Sequence, residues 1–220
     1  MAVFSAHICQ AEHNERVANH LAGSPEMYDW GITAAFYSAI HYLEAKFFSL
    51  PSVLHTETSI PKGPDGKLEY TAHAWRQQLI LAKFPQVYKA FRKLRENSEI
   101  ARYLSYAQPA PGQSPYAAPA MQFFSQRDAQ NMLRKELRDL KSGVDIAFCQ
   151  FLCSLGFGLT GSPPGPNLFH KLVGNFRSRD ELLAQTPVTL TRRFSPAEIQ
   201  AIEQALSKQG LSLSRPKDEE

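Results

Sequence analysis

Apolar side chains recur at helical spacing along most of this chain. Residues 5–22, 71–83 and 85–107 each carry apolar side chains three or four positions apart, which predicts three amphipathic helices. The segment 29–50 is different, because apolar residues cover two of its sides and one histidine, His41, lies in its middle. A helix that is apolar on both sides must be covered on both sides. The sequence therefore predicts the central helix of a bundle, with His41 buried or lining an internal cleft.

The second half of the chain combines one long periodic stretch with a less regular tail. Over residues 125–155, apolar residues follow alternating spacings of three and four, which predicts the longest helix and suits a bundle or a dimer seam. In the tail, Ser195 precedes Pro196 and then Glu198, a pattern typical of a capped helix start. Strand patterns are weak, and the best of them, 188–191, is short. Helices are therefore expected to dominate this half as well.

Segments rich in proline and glycine separate the predicted helices. There are three of them: residues 51–70, 108–120 and 156–167. Such composition is typical of loops and linkers. We therefore expect an all-α fold, with an antiparallel bundle of four to five main helices over residues 1–157. Residues 158–220 are expected to form a small C-terminal extension with one helix near 195–208.

Composition and charge restrict the classes of function. Hydrophobic residues make up 43% of the chain and charged residues 20%, which favours a folded globular protein over a disordered one. The formal net charge is only +3, so nucleic-acid binding would depend on a local patch. The first residues lack the pattern of a signal peptide, and no run of about 18 apolar residues is free of charges. We expect a soluble cytoplasmic protein with no membrane span.

Sequence motifs for metals, cofactors and activated nucleophiles are not found in this chain. Residues 63–67, Gly-Pro-Asp-Gly-Lys, lack the spacing of a phosphate-binding loop and predict a turn. There is no Gly-x-Ser-x-Gly and no His-Glu-x-x-His pattern. Cys149 and Cys153 lie four residues apart in an apolar helical stretch, which predicts two buried thiols. We therefore expect neither a metal nor a cofactor.

Four local patterns follow one another in a set order. They are Asp29-Trp30 at a helix start, Ala34-Ala35-Phe36-Tyr37-Ser38-Ala39-Ile40-His41 within that helix, His73-Ala74-Trp75-Arg76 after the long loop, and Ser98-Glu99-Ile100-Ala101-Arg102-Tyr103 at the end of the fourth helix. In this order they resemble the HEPN superfamily (higher eukaryote and prokaryote nucleotide-binding domain), particularly its prokaryotic branches, over roughly residues 5–155. The resemblance implies an antiparallel helical bundle that often dimerises.

The resemblance also implies a function. It indicates an RNA-associated protein of a prokaryotic defence, stress or toxin–antitoxin system. The nuclease members of the superfamily are metal-independent and carry an arginine and a histidine with four to six residues between them. Here Arg92, Arg95 and Arg102 of the fourth helix are followed by no histidine at that distance, and only three residues separate Arg16 from His20. This departure favours a non-catalytic RNA-associated protein.

Six polar side chains can meet if the third and fourth helices pack beside the second. They are His41, His73, Arg76, Ser98, Arg102 and Tyr103. Metal-free cleavage of RNA needs a proton acceptor, a proton donor and positive charge at the phosphate. As a hypothesis, His73 supplies the acid or base, and Arg76 and Arg102 bind the phosphate. Ser98 and Tyr103 would contact the substrate.

Two interpretations of His41 are open. It can be a catalytic member of this site, or it can belong to a buried structural network, because buried polar groups need hydrogen-bond partners. In the structural alternative, His41 bonds Asp29, Ser98 or a backbone carbonyl. Arg102 would then close the bundle by pairing with Asp29 or Glu44.

A basic stripe on the long helix is a second candidate for contact with nucleic acid. Spacings of seven, four and three place four side chains on one helix face: Arg127, Arg134, Arg138 and Lys141. The stripe can follow a phosphate backbone, or it can be a solvated face, because acidic residues are interleaved with it. No aromatic stacking platform is expected. Four aromatic residues of the second helix have the spacing of core residues: Phe36, Tyr37, Phe47 and Phe48.

Three functions are therefore open. The first is a HEPN-like RNA-associated protein, with or without catalytic activity. The second is a helical dimerisation or interaction module that partners another enzyme. The third is a metal-independent RNase that uses the histidine and arginine cluster. An enzyme acting on a small molecule in a cleft at His41 is disfavoured, because no cofactor motif is found. The expected partners are RNA and either a second copy of the chain or another protein.

Overall fold

The computed structural model describes residues 4–50, 55–103, 105–107, 116–157, 165–176 and 178–214. Helices make up most of these residues and confirm the all-α fold. The first half contains α1 (Phe4–Ala22), α2 (Tyr28–Phe48), α3 (Ala72–Lys83) and α4 (Pro85–Arg102). The second half contains α5 (Gln126–Asn131), a π-helical segment (Met132–Leu137), α6 (Arg138–Gly143), α7 (Ile146–Ser154), α8 (Gly165–Asn175), α9 (Arg179–Leu183), α10 (Pro187–Leu190) and α11 (Pro196–Ser207). None of the helices in the described ranges combines the length and the apolar character needed to cross a membrane.

Helix α2 is the centre of the bundle, as its two-sided apolar pattern predicts. It packs against α1, α4 and the continuous helix formed by residues 126–143. The crossing with α1 is close, because a Cβ atom on Gly31 would lie only 2.8 Å from the backbone nitrogen of Ala22. A larger side chain at position 31 would push the two helices apart. This close packing places polar residues of α1, including His7, beside α2.

The long helix predicted over residues 125–155 is interrupted, so the prediction of one continuous helix is wrong. Its first part ends at Gly143, where a Cβ atom would collide with Cγ1 of Val87 on α4. Asp145 then adopts a left-handed backbone with φ of 51°, and α7 begins at the next residue. Apolar residues on both sides of the break are buried. The spacing of apolar residues therefore indicates which side of the chain is buried, and it continues across the interruption although the helix does not.

The C-terminal extension contains more helix than the sequence predicts. Helices α8, α9 and α10 precede α11, whose predicted start is confirmed by a reciprocal capping box between Ser195 and Glu198. The strand candidate 188–191 is wrong. Thr186 caps a short helix there, and Pro187 occupies the first helical position, where its missing N–H costs nothing.

Helix α8 of the extension packs against the bundle. The ring centres of Phe169 and Phe4 are 5.4 Å apart. Nδ1 of His170 donates a hydrogen bond of 2.8 Å to the carbonyl oxygen of Ser49 at the end of α2. The predicted boundary between bundle and extension, near residue 158, lies outside the described residues and stays a prediction.

A short β-ribbon follows α4 and was not expected. Strands β1 (Ser105–Ala107) and β2 (Tyr116–Ala118) pair in antiparallel fashion. Helix α4 ends at Arg102, before its predicted end, because Tyr103 is extended and the chain then enters β1. Residues 108–115 of the predicted linker lie outside the described residues.

The loop between α2 and α3 positions the start of α3. The predicted turn is confirmed, because the N–H of Gly66 donates to the carbonyl of Gly63 at 2.9 Å. Gly66 has φ of 77°, a conformation that favours glycine. Thr71 then caps α3 by accepting the N–H of Ala74. This cap fixes the first turn of α3, which carries His73.

The two predicted buried thiols are confirmed in part. Cys149 is fully buried, Cys153 is half-buried, and neither forms a disulfide. Burial raises the pKa of both thiols, and raises that of Cys153 to about 12. Both are therefore protonated at pH 7 and act as small core residues.

Candidate functional site

The six candidate side chains lie on α2, α3 and α4, or directly after α4, but they do not form one cluster. His73 and Arg76 contact each other on α3, and Arg102 and Tyr103 contact each other at the end of α4. Ser98 is fully buried, and its Oγ has no hydrogen-bond partner among the described residues. Ser98 contributes its carbonyl oxygen instead, which accepts Nε of Arg102 at 3.1 Å.

A buried ion pair between Glu44 and Arg76 joins α2 to α3. Nε and Nη2 of Arg76 lie 2.8 and 2.7 Å from Oε1 of Glu44, and both side chains are almost fully buried. Oε2 of Glu44 accepts the backbone N–H of Thr56 at 3.0 Å and lies 3.7 Å from Nε2 of His55. Burial alone would raise the pKa of Glu44, but the Arg76 charge and the hydrogen bonds from Thr56 and Arg76 lower it overall. Glu44 is therefore an ionised carboxylate held from two sides.

His73 is exposed on the first turn of α3 and is held by Arg76. Nη1 of Arg76 lies 3.2 Å from Nδ1 of His73. A guanidinium has only donors, so Nδ1 accepts this hydrogen bond. Burial, followed by the charges of Arg76 and Arg102, lowers the pKa of His73 below its ordinary value of 6.5. His73 is therefore neutral at pH 7.

Arg102 rests on tyrosine side chains. Its Nη1 donates to the hydroxyl of Tyr37 at 3.2 Å, and its guanidinium carbon lies 5.8 and 5.3 Å from the ring centres of Tyr37 and Tyr103. These distances are typical of cation–π contacts. Among the described residues, no carboxylate lies within ion-pair distance of Arg102. The alternative in which Arg102 pairs with Asp29 or Glu44 is therefore wrong, and Arg76 takes that role.

Three other basic residues of α4 face carboxylates, whereas Lys89 has none within ion-pair distance among the described residues. The pairs are Arg92 with Glu96 at 2.6 Å, Lys93 with Glu136 at 2.7 Å and Arg95 with Glu99 at 3.6 Å. Each of these positive charges is offset by a neighbouring negative charge. Among the described residues, Arg102 meets aromatic ring faces and no carboxylate, so its charge is more available to an anion than those of Arg92, Lys93 and Arg95.

Aromatic side chains surround Arg102 at the surface. Tyr37 and Tyr103 are 39% and 64% exposed, and Trp30, about two turns before Tyr37 on α2, is 53% exposed. The prediction that Tyr37 belongs to the core is wrong, because one side of α2 is open to solvent at this level. The other predicted core aromatics of α2 are buried or half-buried: Phe36, Phe47 and Phe48.

His41 belongs to a separate group, the inner histidine group (His7, His41 and His55). Nδ1 of His41 lies 3.1 Å from Nδ1 of His7, and the ring of His55 stacks on His7 with 5.3 Å between ring centres. Burial lowers the pKa of His7 to about 4 and also lowers that of His41, although the negative charge of Glu44 opposes both shifts. The two rings are neutral at pH 7, so one donates and the other accepts. The structural interpretation of His41 thus finds a partner, His7, that the sequence did not suggest.

The basic stripe of the long helix is not a continuous patch of unpaired cations. Lys141 pairs with Glu15 of α1 at 2.8 Å, and Arg138 lies 3.4 Å from the carboxylate of its neighbour in sequence. Arg127 and Arg134 are exposed. The π-helical segment lies between Arg127 and Arg138, so the α-helical spacing that placed all four on one face does not continue through it.

The candidate site is therefore the outer face (Tyr37, His73, Arg102 and Tyr103). Within the described ranges, no group of three or more His, Cys, Asp or Glu side chains could hold a metal ion. A cavity of about 500 Å³ lies elsewhere, at the break between α6 and α7, and Lys141 is the one candidate residue that lines it. What the outer face offers chemically is hydrogen-bond donors, positive charge and aromatic rings.

No protein-family model, no curated protein and no solved structure matches this chain. The resemblance to the HEPN superfamily therefore rests on the residues quoted above. The helical bundle is confirmed by the structure, and membership of the superfamily stays a prediction.

Proposed function

We propose that this chain is a HEPN-like, non-catalytic RNA-binding protein that holds an RNA phosphate on the outer face, between Arg102 and His73. The observation that carries the proposal is the state of Arg102. Its guanidinium is supported by two tyrosines and meets no carboxylate among the described residues. A guanidinium in this state keeps charge and N–H donors for a phosphate.

The electrostatic surroundings of His73 support the same position for the phosphate. Partial burial is the largest cause of its lowered pKa, and the positive charges of Arg76 and Arg102 are the next largest causes. A position that disfavours a further proton because of nearby cations favours an anion for the same reason. The phosphate backbone is the anion that RNA presents at every nucleotide.

The exposed rings support RNA with unpaired bases. Bases stack on aromatic side chains in single-stranded segments, whereas a duplex keeps its bases stacked internally. Tyr37 and Tyr103 flank Arg102, and Trp30 extends the aromatic surface along α2. The outer face therefore combines a phosphate contact with ring surfaces for neighbouring bases.

The protonation states support binding over cleavage. Metal-free cleavage of RNA uses a protonated group at the leaving oxygen as well as a base at the 2′-hydroxyl. The pKa values of His7, His41 and His73 are all lowered, so none of these three supplies an imidazolium at pH 7. The missing arginine–histidine spacing agrees with this reading.

The resemblance supplies the cellular setting of the proposal. The protein would act in the cytoplasm of a prokaryote, in a defence, stress or toxin–antitoxin system. It would work as a homodimer or together with a partner protein. These points depend on the resemblance alone and are independent of RNA binding.

The proposal is tested by fluorescence anisotropy with labelled single-stranded RNA. We expect Arg102→Gln to weaken binding about tenfold, the loss typical of one charge-assisted phosphate contact. The matched control is Arg92→Gln, which removes the same charge from α4 at a position already paired with Glu96. It should change the affinity by less than about twofold.

Three results would contradict the proposal. Absence of RNA binding by the unchanged protein would favour the interaction module. Equal losses in Arg102→Gln and Arg92→Gln would show attraction to overall charge and no site. Cleavage of the RNA in EDTA that disappears in His73→Ala would establish the metal-independent RNase instead.

A further inference from the structure

The buried pair of Glu44 and Arg76 lies directly behind His73. We infer that Glu44 is a positioning residue that, through Arg76, holds His73 in a single tautomer with its proton on Nε2. In this state His73 donates a hydrogen bond to an oxyanion and does not accept a proton from RNA. The part concerning RNA rests on the proposed function, whereas the tautomer is a property of the free protein.

The geometry of Arg76 sets the direction of its donors. Nε and Nη2 both lie within 2.8 Å of the same oxygen of Glu44. These two groups form one edge of the planar guanidinium, so the carboxylate fixes the plane and its rotation. Nη1, on the remaining edge, is then aimed at Nδ1 of His73 at 3.2 Å.

Glu44 is itself anchored and cannot follow the arginine if it moves. Its second oxygen accepts the N–H of Thr56 at 3.0 Å, and its side chain is only 2% exposed. Water therefore competes little for either partner. Removing the carboxylate would free the guanidinium to turn away from His73.

The direction of the Arg76 hydrogen bond decides the chemistry of His73. A neutral imidazole carries one N–H proton, and Nδ1 must be unprotonated in order to accept the hydrogen bond from Arg76. The proton is then on Nε2, the nitrogen that faces away from Arg76. A base would have to take its proton on Nδ1, which requires breaking the bond to Arg76. His73 can hold a phosphate oxygen, but it cannot deprotonate a 2′-hydroxyl while this contact persists.

The tautomer can be measured in the free protein by long-range ¹H–¹⁵N spectra of the histidine rings at pH 7. His73→Ala assigns the signal. We expect His73 to show an unprotonated Nδ1 and a protonated Nε2. In Glu44→Leu/Arg76→Leu, which replaces the buried pair by apolar side chains, we expect a mixture of tautomers. The pKa of His73 should also move towards its ordinary value, and RNA binding should weaken about fivefold.

The matched control is Lys93→Leu/Glu136→Leu, which removes another ion pair with a buried carboxylate from the same bundle. It should leave the His73 spectrum unchanged. If the double variant at positions 44 and 76 does not fold, Glu44→Gln provides the same readout, because the neutral amide holds the guanidinium less firmly.

Different outcomes separate this inference from the proposed function. A proton on Nδ1 of His73 in the unchanged protein would overturn the inference. An unchanged spectrum in the variants would also overturn it, because Glu44 would then not be the residue that positions His73. The expected tautomer without RNA binding would leave the positioning role intact and refute the proposed function.

Discussion

The two sides of Arg76 use histidine in different ways. On the outer face, the His73 side chain is largely exposed. Its partial burial is the largest cause of its lowered pKa, and the charges of Arg76 and Arg102 are the next largest. In the inner histidine group, burial lowers the pKa of His7 and His41, and the main opposing charge is that of a carboxylate, Glu44. Burial and the charge of Arg76 contribute to all three shifts, whereas Arg102 acts on His73 alone among the three and Glu44 opposes the shifts of the inner group. The comparison teaches that a lowered histidine pKa indicates an anion site only where the nearby cations outweigh the nearby carboxylate, as they do at His73 and do not at His7 and His41.

The largest expected effect concerns the two arginines on these two sides. Arg76→Ala leaves Glu44 buried without its charged partner, and we expect a loss of about 3–5 kcal/mol in the free energy of unfolding. Arg102→Ala removes a partly exposed side chain and should cost about 1 kcal/mol or less. Urea unfolding of both variants provides the measurement. Similar losses in the two variants would remove the distinction between a structural and an available arginine.

The next effect concerns acid and the inner group. The pKa of His7 is about 4 in the folded protein against an ordinary 6.5, so its stabilising contribution is complete above pH 6.5 and is lost as the pH falls towards 4. One such histidine contributes a slope of up to about 1.4 kcal/mol for each pH unit. Urea unfolding between pH 7 and 4 should therefore show a shallower decline in His7→Gln. His13→Gln, an exposed position on the same helix, should keep the original decline.

Inorganic phosphate should distinguish the two sides directly. A bound anion offsets the charges of Arg76 and Arg102, so the pKa of His73 should rise by up to about one unit. The pKa values of His7 and His41 should move less, because Arg102 is not among the charges that act on them. An NMR titration of the ring signals with and without phosphate measures all three. Equal shifts in His7 and His73 would contradict the separation of the two groups.

The smallest effect tests the tyrosine support of Arg102. Tyr37→Leu removes a ring and a hydroxyl that both contact the guanidinium. We expect RNA affinity to fall about two- to fivefold, with little change in stability. Tyr37→Phe keeps the ring and separates its contribution from that of the hydroxyl. His7→Gln, on the inner side, should leave RNA affinity unchanged, and a loss there would show that the two sides are coupled.

The sequence predicts those parts of the site that depend on spacing within one helix. His73 and Arg76 are three residues apart, so helical geometry alone places them together, and the structure confirms it. Arg102 and Tyr103 are likewise close because they are neighbours. The central position of α2 also follows from its own pattern, because an apolar helix has to be covered.

The parts that the sequence does not predict depend on contacts between distant segments. His7 meets His41 across 34 positions, and no local pattern marks such a pair. Tyr37 has the spacing of a core residue, but periodicity indicates which sides of a helix are apolar and not which of them is covered. The role of Glu44 depends on Arg76, which is 32 positions away. Contacts between residues far apart in the sequence are thus the part of the site that spacing along the chain does not predict.

The π-helical segment Met132–Leu137 resembles the result of a one-residue insertion into an ordinary helix. Each residue added to a helix turns everything beyond it by about 100°. Ala129 before the segment, Leu137 within it and Leu140 after it are all buried, so the helix keeps its apolar residues on the core through the segment. Deleting one residue there would rotate Gln126 away from the carbonyl of Gly23, to which it now donates at 2.7 Å. The rotation of α5 relative to α6 therefore depends on the length of this segment, and shortening it should destabilise the fold more than replacing one of its exposed side chains.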